Sequence, residues 1–194
     1  MTSGSRTQSI VLIGLCVALL AIGAFITVPF GPVPFTLQTM MLVLTICLLT
    51  PRCALAAVTA YLLLGALGLP VFSGMRGGIA VLLGPTGGFL MGFLLATVII
   101  AIFKSNFMSA TACQKHPWLP LLTDVMCAVV LTVVSYALGS AWYAFSAHVD
   151  LTAAALVTIV PFVLPDILKA LAAIICVQSV RTVLTLRVPE RRIR

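Results

Sequence analysis

The feature that most constrains this chain is a series of long apolar runs without charge, each ended by prolines, glycines or basic residues. No residue from Ile10 to Val28 is charged, and the run stops at Pro29-Phe30-Gly31-Pro32-Val33-Pro34. Prolines there forbid a continuing helix. A bilayer-crossing helix needs about 20 mostly apolar residues. The pattern recurs and predicts spans at about 9–28, 36–50, 53–69, 87–103, 119–146 and 152–186. The expected fold class is all-α, a polytopic integral membrane protein with one six-transmembrane-helix domain over residues 1–194. Composition agrees: 62% of the 194 residues are hydrophobic and 8% are charged. A soluble domain carries about 25% charged residues, so an ordinary soluble domain and a disordered chain are both excluded.

The basic residues set an orientation. With the N-terminus inside and alternating spans, Arg6, Arg52, Lys104, Lys115, Arg181, Arg187, Arg191, Arg192 and Arg194 fall on the inner side. Only Arg76 and Lys169 fall on the outer side or in its half of the bundle. This is a positive-inside pattern with both termini cytoplasmic. Trp118 sits at the inner boundary and Trp142-Tyr143 near the outer one, where amphipathic rings belong. The net charge of +7 is thereby explained by topology and needs no nucleic acid. The first run exceeds a signal-peptide core and reads as a retained helix.

Cys16, Cys47, Cys53, Cys113, Cys127 and Cys176 form no C-x-x-C pair, and His116 and His148 are the histidines. Metal-ligand spacings are absent, so the cysteines read as structural, with no metal and no cofactor expected. The acids Asp124, Asp150, Asp166 and Glu190 are scattered over different sides of the membrane, which argues against an intramembrane enzyme. An ion-coupled secondary transporter is disfavoured too, because no inverted repeat is visible.

Pro165-Asp166-Ile167-Leu168-Lys169 places an acid and a base three residues apart, on one helix face. Charges at membrane depth are costly and usually face a polar cavity; the plainer alternative is a structural ion pair. Arg76 lies in a glycine-rich stretch, 69–87, which is either a lid over the bundle or a plain connection. Thr86 is placed to cap the fourth span and Thr36 the second. Gln38 opens the second span and is a pocket candidate. Asp124 is expected to pair with a loop lysine or to contact a partner. Gly14 and Ala18, four apart on the first span, offer close packing either inside the bundle or against a second membrane protein.

Three segments are similar to signatures of one family. Ile26-Thr27-Val28-Pro29-Phe30-Gly31-Pro32-Val33-Pro34-Phe35-Thr36-Leu37-Gln38-Thr39 resembles the signature after helix one of the biotin-specific S components (BioY) of energy-coupling-factor (ECF) vitamin transporters. Gly68-Leu69-Pro70-Val71-Phe72, Met75-Arg76-Gly77-Gly78 and Leu83-Gly84-Pro85-Thr86-Gly87-Gly88 resemble the second signature. Pro165-Asp166-Ile167-Leu168-Lys169-Ala170 resembles the third; Thr50 stands where the family pattern leads one to expect glycine. The resemblance covers nearly the whole chain. It implies a six-helix S-component bundle in the cytoplasmic membrane and a biotin pocket beneath the loop between helices three and four. It also implies partners: a transmembrane coupling subunit and two ATPase subunits, shared or absent in some relatives. The candidate substrate-binding residues are then Asp166, Lys169, Arg76, Gln38, Gly77, Gly78 and Tyr143, with Gly14 and Ala18 at the partner interface. An S component for another anionic vitamin and a stand-alone biotin transporter remain as alternatives.

Overall fold

The computed structural model describes residues 3–29, 31, 33–107 and 118–187. Phe30, Pro32, Cys113, Lys115, His116, Glu190, Arg191, Arg192 and Arg194 lie outside the described residues. The described chain runs α1 (Ser3–Phe25), β1 (Thr27–Val28), β2 (Phe35–Thr36), α2 (Gln38–Leu48), α3 (Pro51–Ala66), α4 (Ile79–Leu83), α5 (Gly87–Phe107), α6 (Leu119–Ala147), α7 (Leu151–Thr158) and α8 (Val160–Arg187).

Helices α1, α5, α6 and α8 are long and apolar enough to cross a membrane. The other two expected spans are shorter: α2 has 11 residues and α3 has 16. At 1.5 Å per residue they reach about 16 and 24 Å, against a hydrocarbon core of about 30 Å. The proline segment shortens α2, because its flanks pair instead as a small antiparallel hairpin, Thr27 opposite Thr36 and Val28 opposite Phe35. Thr36 is therefore a strand residue and Leu37 is the N-cap of α2. The Thr36 hydroxyl still accepts from the Gln38 amide at 3.4 Å. The expected last span is divided at Ile159, between α7 and α8. Pro161 thereby stands in the first turn of α8, where its missing N–H would have no helical partner anyway.

The bundle is apolar on both sides of its wall. Leu20, Leu42, Ile46, Tyr61, Leu131 and Val177 belong to one continuous buried cluster. Outside it, large apolar side chains stay exposed along whole helices, such as Val11, Leu15 and Ile22 on α1 and Leu164, Leu168 and Ile175 on α8. Such a surface would aggregate in water and suits contact with lipid. Helices α5 and α6 touch closely at Gly92: a Cβ there would come within 2.8 Å of the Ser135 Cα.

Candidate binding site

The hairpin, the segment between α3 and α5, and helices α2, α5, α6, α7 and α8 line one cavity. Its walls are mainly apolar, with Phe72, Phe89, Phe93, Leu131 and Phe162 among them. Polar groups enter at two places: a cluster around Asp166, and Arg76 on the covering segment.

Asp166 and Lys169 are each 8% exposed and meet at 2.5 Å, Nζ to Oδ1. Thr39 donates to the same Oδ1 at 3.3 Å. Tyr136 donates to Oδ2 at 2.6 Å. Lys169 also donates to the Thr36 carbonyl at 2.8 Å and to the Thr39 hydroxyl at 3.2 Å. An ammonium has three N–H donors, so all three are taken within the protein. The Lys169 Nζ lies 4.0 Å from the centroid of the Phe35 ring. That ring stacks at 6.5 Å on Phe162. A buried charge needs a partner and full hydrogen bonding. Here α8 supplies both charges, and strand β2, α2 and α6 supply the remaining hydrogen bonds. Oδ1 accepts two bonds and Oδ2 one, so the free acceptor capacity of the carboxylate sits on Oδ2, beside Tyr136.

The segment 69–87 folds back over the bundle. Phe72 pairs with Arg76 as an isolated β-bridge, and its buried ring packs edge-on against Tyr61 at 5.5 Å. Gly65 of α3 makes room for that ring, which a Cβ at 65 would strike. Gly78, at φ +93°, turns its amide onto the Gly65 carbonyl at 2.7 Å. The Tyr61 hydroxyl donates to the Val71 carbonyl at 2.9 Å and accepts from Gln38 Nε2 at 2.9 Å. At the far end, Trp142 Nε1 donates to the Gly84 carbonyl at 2.9 Å. The segment is thus held from α3 and α6. Arg76 is exposed, and its Nε donates to the Ser73 carbonyl at 3.3 Å.

The structure brings Asp166, Lys169 and Arg76 to one cavity. Gln38 is buried behind it, on the face of α2 turned to Tyr61. Gly77 lines a second recess beside Arg76, against the carbonyls of Gly68 and Leu69. Gly78 shapes the covering segment, and Tyr143 does not line the cavity. Sequence reasoning missed Tyr136, Thr39 and Ser135. Each is a hydroxyl within an apolar stretch, and Tyr136, the tyrosine nearer the middle of the expected fifth span, was the readable signal.

At the opposite end of the bundle Asp124, 1% exposed, accepts from Arg181 Nη1 at 2.6 Å and Nη2 at 3.0 Å, and from Gln178 Nε2 at 2.9 Å. Among the described residues its partners are Arg181 and Gln178, both on α8; the loop lysine Lys115 lies outside the described residues. Arg181 presents its planar fork to the carboxylate in two parallel bonds. Arg181 also reaches the Cys47 carbonyl at 2.7 Å, and Lys104 reaches the Ile46 carbonyl at 2.8 Å. Both cations meet the last carbonyls of α2, the negative end of its dipole. On α1, Gly14 and Ala18 are exposed, and nothing lies within 4 Å of a Cβ placed on Gly14. The small residue that packs inside is Gly23, where a Cβ would strike Met41 of α2.

The family model described as "BioY family" matches residues 1–186. A "Probable biotin transporter BioY" of Pyrococcus horikoshii is 35% identical over 176 residues, which are 91% of this chain and 98% of the relative. The "Biotin transporter BioY" of Thermotoga maritima is 38% identical over 160 residues, 82% of this chain and 88% of the relative. A crystal structure of the S-component for biotin from an ECF-type ABC transporter superposes with a TM-score of 0.79 at 27% identity, covering 94% of this chain and 95% of that one.

Proposed function

The chain belongs to the BioY family, and we propose that it captures biotin as the substrate-binding S component of an ECF-type transporter. The observation that carries this reading is the pairing of a buried, hydrogen-bonded carboxylate with a separate arginine across one apolar cavity. Biotin has two ureido N–H donors, an apolar sulfur ring and a carboxylate on a flexible chain. Asp166 Oδ2 and the Tyr136 oxygen are acceptors for the ureido N–H groups. The aromatic wall takes the rings. Lys169 has no donor left, so Arg76 is the partner of the ligand carboxylate, and Lys169 positions and neutralises Asp166. The site's formal charge is then −1 + 2 = +1 without ligand and zero with a monoanion, which favours anion capture.

The segment 69–87 acts as the lid, on the outer face of the cytoplasmic membrane. The end bearing Arg52, Lys104 and Arg181 faces the cytoplasm, as do both termini. All six apolar helices then cross the membrane, with the hairpin completing the path of α2. The outward strip of α1 around Gly14 and Ala18 contacts the transmembrane coupling subunit, which two ATPase subunits drive. Purified protein in detergent should show a biotin-dependent rise in melting temperature and none with thiamine or riboflavin. A response to another anionic vitamin, with none to biotin, would overturn the ligand assignment.

A further inference from the structure

Helix α6 places three hydroxyl-bearing side chains in the cavity wall, Thr132, Ser135 and Tyr136. Two are committed: Thr132 donates to the Ala128 carbonyl at 2.9 Å and Tyr136 to Asp166 at 2.6 Å. Ser135 is 3% exposed, and its Oγ has no hydrogen-bond partner among the described residues. The other buried Ser and Thr hydroxyls, on Thr45, Thr97, Thr123, Ser140 and Thr158, each donate to the carbonyl four residues earlier. That outlet is open to any helical serine, and Ser135 does not take it. Helix α5 supplies no side-chain partner at this level, because Gly92 faces the Ser135 backbone. An unmet hydroxyl in an apolar wall is costly, and a ligand that completes it is a physical reason for its survival.

We propose that Ser135 is a ligand-binding residue whose hydroxyl donates to the carbonyl oxygen of a cyclic urea; this rests on the biotin reading. The donor inventory of the cavity leads there. A ureido ring needs acceptors for two N–H groups and a donor for its C=O. Asp166 and Tyr136 supply acceptors. The donors of Lys169, Thr39, Tyr136, Thr132 and Thr158 are already used within the protein. Arg76 stands on the lid, apart from the Asp166 cluster, where the ligand carboxylate is expected. Thr36, Ser73 and Thr86 also line the wall but are only half-buried; of the fully buried wall hydroxyls, Thr158 and Ser135, it is Ser135, one residue from Tyr136, that has no partner among the described residues.

The test uses the full chain in detergent and three probes: biotin, desthiobiotin, which keeps the urea and lacks the sulfur, and 2-iminobiotin, in which the urea oxygen is replaced. Ser135→Ala should weaken biotin and desthiobiotin about tenfold, the effect of one lost hydrogen bond. It should not weaken 2-iminobiotin beyond wild type. The ligand-free variant should melt at or above the wild-type temperature, since an unmet polar group has been removed. Ser135→Cys, nearly isosteric and a weaker donor, should fall between. Unchanged biotin affinity in a folded Ser135→Ala or Ser135→Cys protein would overturn the assignment, as would a loss confined to biotin with desthiobiotin spared. Wild-type protein that binds none of the three probes would overturn the biotin reading itself, and this assignment with it.

Discussion

Lys169 follows Asp166 by three residues on α8 and meets its carboxylate at 2.5 Å, yet its other two donors cross to α2 and the hairpin, at Thr39 and the Thr36 carbonyl. One ammonium thus ties the ion pair to two other walls of the cavity.

Removing that ammonium should be costlier than removing the pair. Lys169→Met strands a buried carboxylate, at about 3–5 kcal/mol. The Asp166→Asn/Lys169→Met double variant strands no charge and should recover much of the lost melting temperature. Equal melting temperatures for the single and double variants would mean that the pair is not electrostatically coupled.

Arg76 and Lys169 should separate in their response to the ligand's charge. Wild type should bind biotin more tightly than a biotin amide by about 10–100-fold, the range for a charge-assisted bond of about 1.5–3 kcal/mol. Arg76→Ala should erase that preference. A preference that survives in Arg76→Ala and vanishes in a folded Lys169→Met would exchange their roles.

Gln38 should act on the lid through Tyr61. Tyr61→Phe removes the donor to the Val71 carbonyl and leaves Gln38 Nε2 facing a ring edge. A loss of about 1–3 kcal/mol in stability is expected for the unmet groups. Biotin dissociation should quicken while association changes little, read by stopped-flow fluorescence. An unchanged dissociation rate would detach the lid from this chain of bonds.

Helix α1 should tolerate bulk where it faces outward. Gly14→Leu should leave the melting temperature and biotin affinity near wild type, because nothing lies within 4 Å of the added Cβ. It should block co-purification with the coupling subunit. Gly23→Leu should instead unfold the α1–α2 contact, by overpacking against Met41. Unimpaired assembly of the Gly14→Leu protein would move the partner surface elsewhere.

Much of this was legible in the sequence, for reasons of rarity. In a chain this apolar, Asp166, Lys169 and Arg76 stand out, and the structure brings them to one cavity. The prolines before α2 signalled a stop, but a stop does not reveal the hairpin that Thr27 and Thr36 form. That hairpin fixes where α2 begins, and hence its phase. Thr39 faces the cavity and Gln38 faces Tyr61, a difference of one residue and about 100°. Ser135 was hidden because a serine hydroxyl in a membrane helix ordinarily bonds its own backbone. The partner of Asp124 lies 57 residues away on α8, beyond any local spacing rule.

The central claim is that the Asp166 cluster is a ligand site and more than a fastening between helices. Equilibrium binding of labelled biotin to purified wild type and to the Asp166→Asn/Lys169→Met double variant tests it most directly, with circular dichroism on both to confirm folding. A folded double variant whose affinity falls by about 10–100-fold is expected, the loss of the charge-assisted contact between Asp166 and the ligand at 1.4 kcal/mol per decade. Wild-type affinity in the folded double variant would contradict the account and leave the pair as a structural bolt.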